Sequence, residues 1–263
     1  MRFKRVMAAV LGLAAMVTIV GANPSQAQGD NTTFKGVERE RGMSLTTTGG
    51  QSFLEINGAG ELVHWQRSGE SYAKHVRGWG WGGTRTITTL DEQNFLEIKG
   101  DGRLSKWTWN GGAYSEAVVG WGWNNARLIT GISSGQFIEI NAQGELAYWT
   151  FDGSGTLSKA VRGWGWGGTK SITGLSPYMF IEIKGDTFNS LSWWVDTTTG
   201  LQEFAEGGDN RWIRLIAGGD EDHFTIIRTD GTLMEFAWVE NGGSGSWVGT
   251  ERGWGWGSTR LIG

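Results

Sequence analysis

The segment FLEIKGDGRLSKW, residues 95–107, decides the architecture. In an extended chain Phe95 and Glu97 fall on one face and Leu96 and Ile98 on the other. Lys99-Gly100-Asp101-Gly102 reads as a hairpin turn, because glycine takes positive φ at little cost, and a second strand follows from Arg103 to Trp109. The pattern returns as FLEINGAGELVHW from Phe53, FIEINAQGELAYW from Phe137, FIEIKGDTFNSLSWW from Phe180 and FTIIRTDGTLMEF from Phe224, at spacings of 42, 42, 43 and 44 residues. A fixed period of this size marks a stacked or circular repeat.

Each unit reads as four strands. A third covers roughly Tyr114 to Val119, and a fourth, Thr84 to Thr88, belongs to the preceding unit and carries Arg85 and Ile87. Its equivalents hold Arg127 and Ile129, Lys170 and Ile172, Arg214 and Ile216, and Arg260 and Ile262. Four short antiparallel strands in about 42 residues make one propeller blade, and a ring of blades leaves no open sheet edge. The predicted fold is therefore all-β: a five-bladed β-propeller over residues 42–263, with four antiparallel strands per blade. An open β-solenoid is the alternative, but no unit reads as a polar capping repeat. The final residues GWGWGSTRLIG supply a fourth strand for the last blade, and Met43 to Thr46 repeats that strand in decayed form, with Met43 at the arginine position. The sequence leaves open whether this sixth copy clasps the C-terminal blade or lies outside the sheet.

Upstream, Arg2, Lys4 and Arg5 precede an apolar run from Val6 to Val20 and a small-residue stretch ending at Ala27. That order predicts a secretory signal peptide over residues 1–27, followed by an N-terminal segment over 28–41. The run is shorter than the roughly 20 residues a membrane helix needs, so an exported protein without membrane insertion is expected. Loss of the leader takes the net charge from −4 to −7, which argues against nucleic acid as a partner. The chain has no cysteine, so its stability must come from a hydrophobic core. With 45 glycines, 17 tryptophans and two prolines, the composition fits short strands joined by tight turns.

The tetrad Gly-Trp-Gly-Trp begins at Gly78, Gly120, Gly163 and Gly253, while the fourth unit has Gly208 and Asn210 at the tryptophan positions. Read as extended chain, the two indoles of each pair project to one side. They either pack between blades or form a shelf that stacks on sugar rings. The missing pair favours the second role, since a core position is harder to give up. Glu55, Glu97, Glu139 and Glu182 recur on the first strand, with Ile226 in the fifth copy. One identical acid per blade does not give the two unlike carboxylates that glycoside hydrolysis requires, and no nucleophile elbow, zinc-binding or phosphate-loop motif is present. Pairing of these acids with Arg85, Arg127, Lys170, Arg214 and Arg260 is the simpler expectation. His64, His75 and His223 have no metal-ligand spacing, and His64 and His75 read as surface positions. Asp220-Glu221-Asp222 lacks the alternation of a calcium loop, so neither metal nor cofactor is expected.

The phenylalanine strand, glycine turn, leucine-bearing strand and one tryptophan-glycine motif per unit resemble the tachylectin-2 family, secreted five-bladed propeller lectins. The resemblance covers roughly Gly42 to Gly263. It implies binding of N-acetylated amino sugars at one equivalent site per unit. The family's glycine-tryptophan loop lies just before the phenylalanine strand, whereas here the tryptophans sit one strand earlier, so its contact residues do not transfer individually.

The expectation is a non-enzymatic, multivalent carbohydrate-binding protein. Its candidate sites are Trp79, Trp81, Trp121, Trp123, Trp164, Trp166, Trp254 and Trp256 as stacking platforms, with Arg85, Arg127, Lys170 and Arg260 as donors. Glycans or glycoconjugates are the expected partners. A scaffold binding another exported protein through the same tryptophans is the alternative.

Overall fold

The computed structural model describes residues 52–241 and 244–263, with three short segments, Ala15–Ile19, Asn31–Thr32 and Phe34–Lys35. Ala15–Ile19, inside the predicted leader, lies parallel to the outer strand Ser244–Gly253 of the fifth blade. The rest of the leader, and Met43 to Thr46, lie outside the described residues.

Five four-stranded antiparallel blades form a ring, as the period requires. From axis to rim the second blade runs Thr84–Thr89, Asn94–Lys99, Leu104–Trp109 and Tyr114–Gly120. The arginine-bearing strand is thus the innermost strand of the following blade, not the last strand of the preceding one. This corrects the expected blade boundary, and it closes the ring. The C-terminal strand Thr259–Ile262 pairs antiparallel with Ser52–Asn57, setting Thr259 opposite Asn57 and Ile262 opposite Glu55. The first blade is therefore built from both ends of the repeat region, and the final strand has no place in the fifth.

Alternation along each strand makes the layers between blades. In the first two blades, Leu54, Ile56 and Leu62 meet Ile87 and Phe95 across one such layer, with Trp81 buried between them. The next layer repeats this with Leu96, Ile98, Leu104, Trp123, Ile129 and Phe137. Around the axis the inner strands touch backbone to backbone. A Cβ added at Gly131 or Gly174 would stand 2.0 Å from the carbonyl oxygen of Thr89 or Gly131, so only glycine permits that approach. The Gly131 and Gly174 amides donate to the hydroxyls of Thr88 and Thr130 at 2.7 Å, beside an axial cavity of about 30 Å³.

Candidate binding face

The tetrads do not run straight. Gly80, Gly122, Gly165 and Gly255 have φ between 82° and 98°, and a single 3-10 turn follows each of them. That left-handed step, open to glycine without strain, turns the second indole away from the first. The expected side-by-side shelf of paired indoles is thereby corrected. Trp79, Trp121, Trp164 and Trp254 are 73%, 69%, 67% and 76% exposed, whereas Trp81, Trp123, Trp166 and Trp256 are at most 9% exposed.

Each buried indole wedges between blades. Trp81 contacts Phe95 and Trp107 of the second blade, with ring centroids 5.6 and 4.8 Å away, and Trp123, Trp166 and Trp256 make the same pair of contacts one blade further on. The repeated glutamate completes this assembly. Glu97 accepts from Trp107 Nε1 at 2.9 Å and from the Thr84 hydroxyl at 2.5 Å, and Glu55 and Glu182 have the same two kinds of donor. Glu139 accepts from Trp149 Nε1 at 2.7 Å, but its threonine position is Ala126, and burial raises its carboxyl above the ordinary value.

The periodic cations do not pair with these acids, nor do they reach the exposed indoles. Arg85 donates to the carbonyls of Trp123, Asn124 and Ala126, Arg127 to those of Trp166 and Thr169, and Lys170 to that of Ile213. Arg214 holds the carbonyls of Trp256 and Thr259, and Arg260 those of Trp81, Gly82 and Thr84. Each side chain clamps the turn of the next blade, so Arg85, Arg127, Lys170 and Arg260 are inter-blade ties and not the expected ligand donors. A guanidinium suits the role because its planar fork satisfies several carbonyls at once.

The exposed indoles occupy equivalent places at one end of the ring, beside polar side chains that the sequence reading did not single out. In the first blade Glu61 accepts from Asn57 at 2.7 Å, from Lys74 at 3.3 Å and from Trp79 Nε1 at 3.3 Å. The bonds from Asn57 and Lys74 hold the Glu61 carboxyl below its ordinary value. The third blade repeats the set: Glu145 lies opposite Trp164 in register and engages Asn141 at 3.2 Å and Lys159 at 2.5 Å. In the second blade the charges are exchanged. Arg103 takes the glutamate place, its guanidinium 5.8 Å from the Trp121 ring, and Lys99 donates to Glu116 at 2.9 Å. Trp254 of the fifth blade has Thr232 at that place, next to the pairing of Leu233 with Gly253. The signal for these residues was the same repeat register, read one position before each second-strand leucine.

Of the histidines, His75 is exposed and His64 is half-buried. Burial, then Arg77 and His75, lower its pKa to about 4. His223 is shifted upward by its hydrogen bond with Asp220.

No protein-family profile and no curated protein matches the sequence. Solved structures do resemble the fold. Prp20p of Saccharomyces cerevisiae, described with its binding to Gsp1p and histones, aligns at 13% identity and TM-score 0.41 over 78% of this chain and 64% of its own. A functionally unknown protein from Desulfotomaculum acetoxidans aligns at 14% identity and TM-score 0.42, over 82% of this chain and 68% of that one. SapL1 lectin, solved with alpha methyl fucoside, aligns at 13% identity and TM-score 0.42, over 78% and 81%. The likeness is one of fold. Among the described residues no helix is long and apolar enough to cross a membrane.

Proposed function

We propose that this ring is an exported, multivalent carbohydrate-binding protein that acts without turnover, in the manner of the tachylectin-2 family, with N-acetylated amino sugars as its ligands. The observation that carries the reading is the set of four indoles, each about two-thirds or more exposed, at one end of their blades beside hydrogen-bonding side chains. An indole face stacks on the apolar C–H face of a pyranose, while Glu61, Lys74 and Asn57, or Glu145, Lys159 and Asn141, supply the mixed acceptors and donors that sugar hydroxyls and an acetamido group need. Large exposed aromatics left unburied are otherwise costly, and their repetition on a rigid ring is suited to weak sites acting together. The periodic glutamates support binding over hydrolysis, since Glu55, Glu97 and Glu182 are each tied down by a tryptophan and a threonine inside the blade layers.

Isothermal titration with N-acetylglucosamine tests the proposal. Trp79→Ala and Trp164→Ala are each expected to weaken binding tenfold or more at the affected site and to leave the melting temperature within about 2 °C, because both side chains are exposed. Absence of binding to this sugar and across a glycan array would sink it. Capture of an exported protein that survives excess free sugar would instead support the scaffold reading.

A further inference from the structure

The fourth blade has Gly208 where the other blades expose an indole, yet it is not bare at that end. We propose that it carries a fifth aromatic subsite, built around Phe188 and taking the same class of ligand, a pyranose with an apolar C–H face. The inference rests on the carbohydrate reading above.

Three observations lead to Phe188. The backbone register places it on the same end of the ring. The amides of Trp81, Trp123, Trp166 and Trp256 donate to the carbonyls of Gly60, Gly102, Gly144 and Gly231 in the hairpin turns, and the amide of Asn210 donates in the same way to Phe188 at 2.8 Å. The turn is also longer. Asn57 N–H reaches the Glu61 carbonyl, whereas Lys184 N–H must reach Ser190, so two extra residues lift the phenyl ring out of the blade. Asp186 fixes the loop by accepting from the amides of Phe188 and Ser190 at 3.0 and 2.9 Å, and Asn189 takes a left-handed φ of 48°. The ring that results is 54% exposed.

The surroundings reproduce those of the second blade. The Arg211 guanidinium lies 5.7 Å from the Phe188 ring, as that of Arg103 lies 5.8 Å from Trp121. Asp209 holds Arg211 in place through its carboxylate. Lys184 donates to Glu203 at 2.9 Å, as Lys99 donates to Glu116 at 2.9 Å. A guanidinium stands over each ring, and both rings remain more than half exposed. An exposed phenylalanine in a surface turn is ordinary by itself. Here it occurs in the blade whose indole is missing, with the ion pair kept at the same repeat positions as in the second blade and the cation supplied from a different one. The face then presents Trp79, Trp121, Trp164, Phe188 and Trp254, one aromatic ring for every blade. Lacking an indole N–H, the Phe188 subsite has to draw its hydrogen bonds from the Lys184–Glu203 pair and is expected to be the weakest.

Equilibrium dialysis of the full chain against labelled N-acetylglucosamine, read as sugars bound per chain at saturation, tests this. Five are expected for the unmodified protein and four for Phe188→Ala, with Phe188→Trp restoring five and binding more tightly at that subsite. Trp79→Ala also leaves four. A saturation value of four that Phe188→Ala does not change, while Trp79→Ala lowers it to three, overturns the fifth subsite and leaves the carbohydrate reading standing. No bound sugar in the unmodified protein overturns both.

Discussion

Four of the five layers between blades are built around a wedged indole, and the layer between the fourth and fifth blades is not. At the four, a tryptophan from the glycine-rich turn sits against a phenylalanine and a second tryptophan whose N–H is held by glutamate. At the fifth, Asn210 replaces the wedge, Ile226 the glutamate, Phe236 the second tryptophan and Ile213 the threonine. These four exchanges belong together. With no indole N–H or threonine hydroxyl to receive, a buried carboxylate would be uncompensated, so the glutamate and both of its donors become apolar together, while Asn210 takes the wedge position. Trp212 packs against this layer, and Phe224 and Phe236 stack with centroids 4.8 Å apart. Further out, Trp193 meets Trp238 and Trp247, at a position where the first blade has His64 and the third Tyr148. The same sheet geometry is thus held either with a buried glutamate bonded to an indole or with an isoleucine in its place.

The largest expected effect breaks the wedge. Trp123→Ala should cost about 3–5 kcal/mol in denaturant unfolding, as large-to-small changes of buried aromatics do, whereas Asn210→Ala should cost about 1 kcal/mol. Equal losses at the two positions would show that the layers are not of two kinds. Next comes a forced mixture. Ile226→Glu buries a carboxylate beside Phe236, without the indole or threonine donors, and about 3 kcal/mol of destabilisation is expected at pH 7, relieved on acidification as the carboxyl takes up a proton.

His64 gives a smaller, pH-dependent contrast with Trp193. Its pKa is depressed to about 4 by burial, Arg77 and His75, below the ordinary value of 6.5, so its contribution is fully present above pH 6.5 and is lost as the pH falls through the folded value. Between pH 7 and 4.5, His64→Gln should lose about 2 kcal/mol less stability than the unmodified chain. Parallel acid dependence of the two proteins would contradict that assignment.

Much of the fold was legible because it lies in a period. Phe53, Phe95, Phe137, Phe180 and Phe224 recur at nearly constant spacing, and alternating strands of that length have few ways to bury one another. What could not be read was partnership. Trp79 and Trp81 have the same glycine neighbours, and only the positive φ of Gly80 sends one to solvent and the other between blades. Arg85 looked like a partner for glutamate because both recur once per unit, but the bond it makes crosses to the turn of the next blade. Phe188 carried no repeat signal, since its site was rebuilt in a lengthened turn.

The sequence by itself determined the number of blades and the alternation of faces within their strands, because periodicity and alternation are local properties of the chain. Only the tertiary structure decided that Thr259–Ile262 completes the first blade, which indole of each pair is buried, and where the cations bind. The strand closure and the cation bonds depend on contacts between residues about 40 to more than 200 positions apart, whose direction in space is fixed when the ring closes, and the choice of indole on a glycine dihedral angle that the sequence does not show.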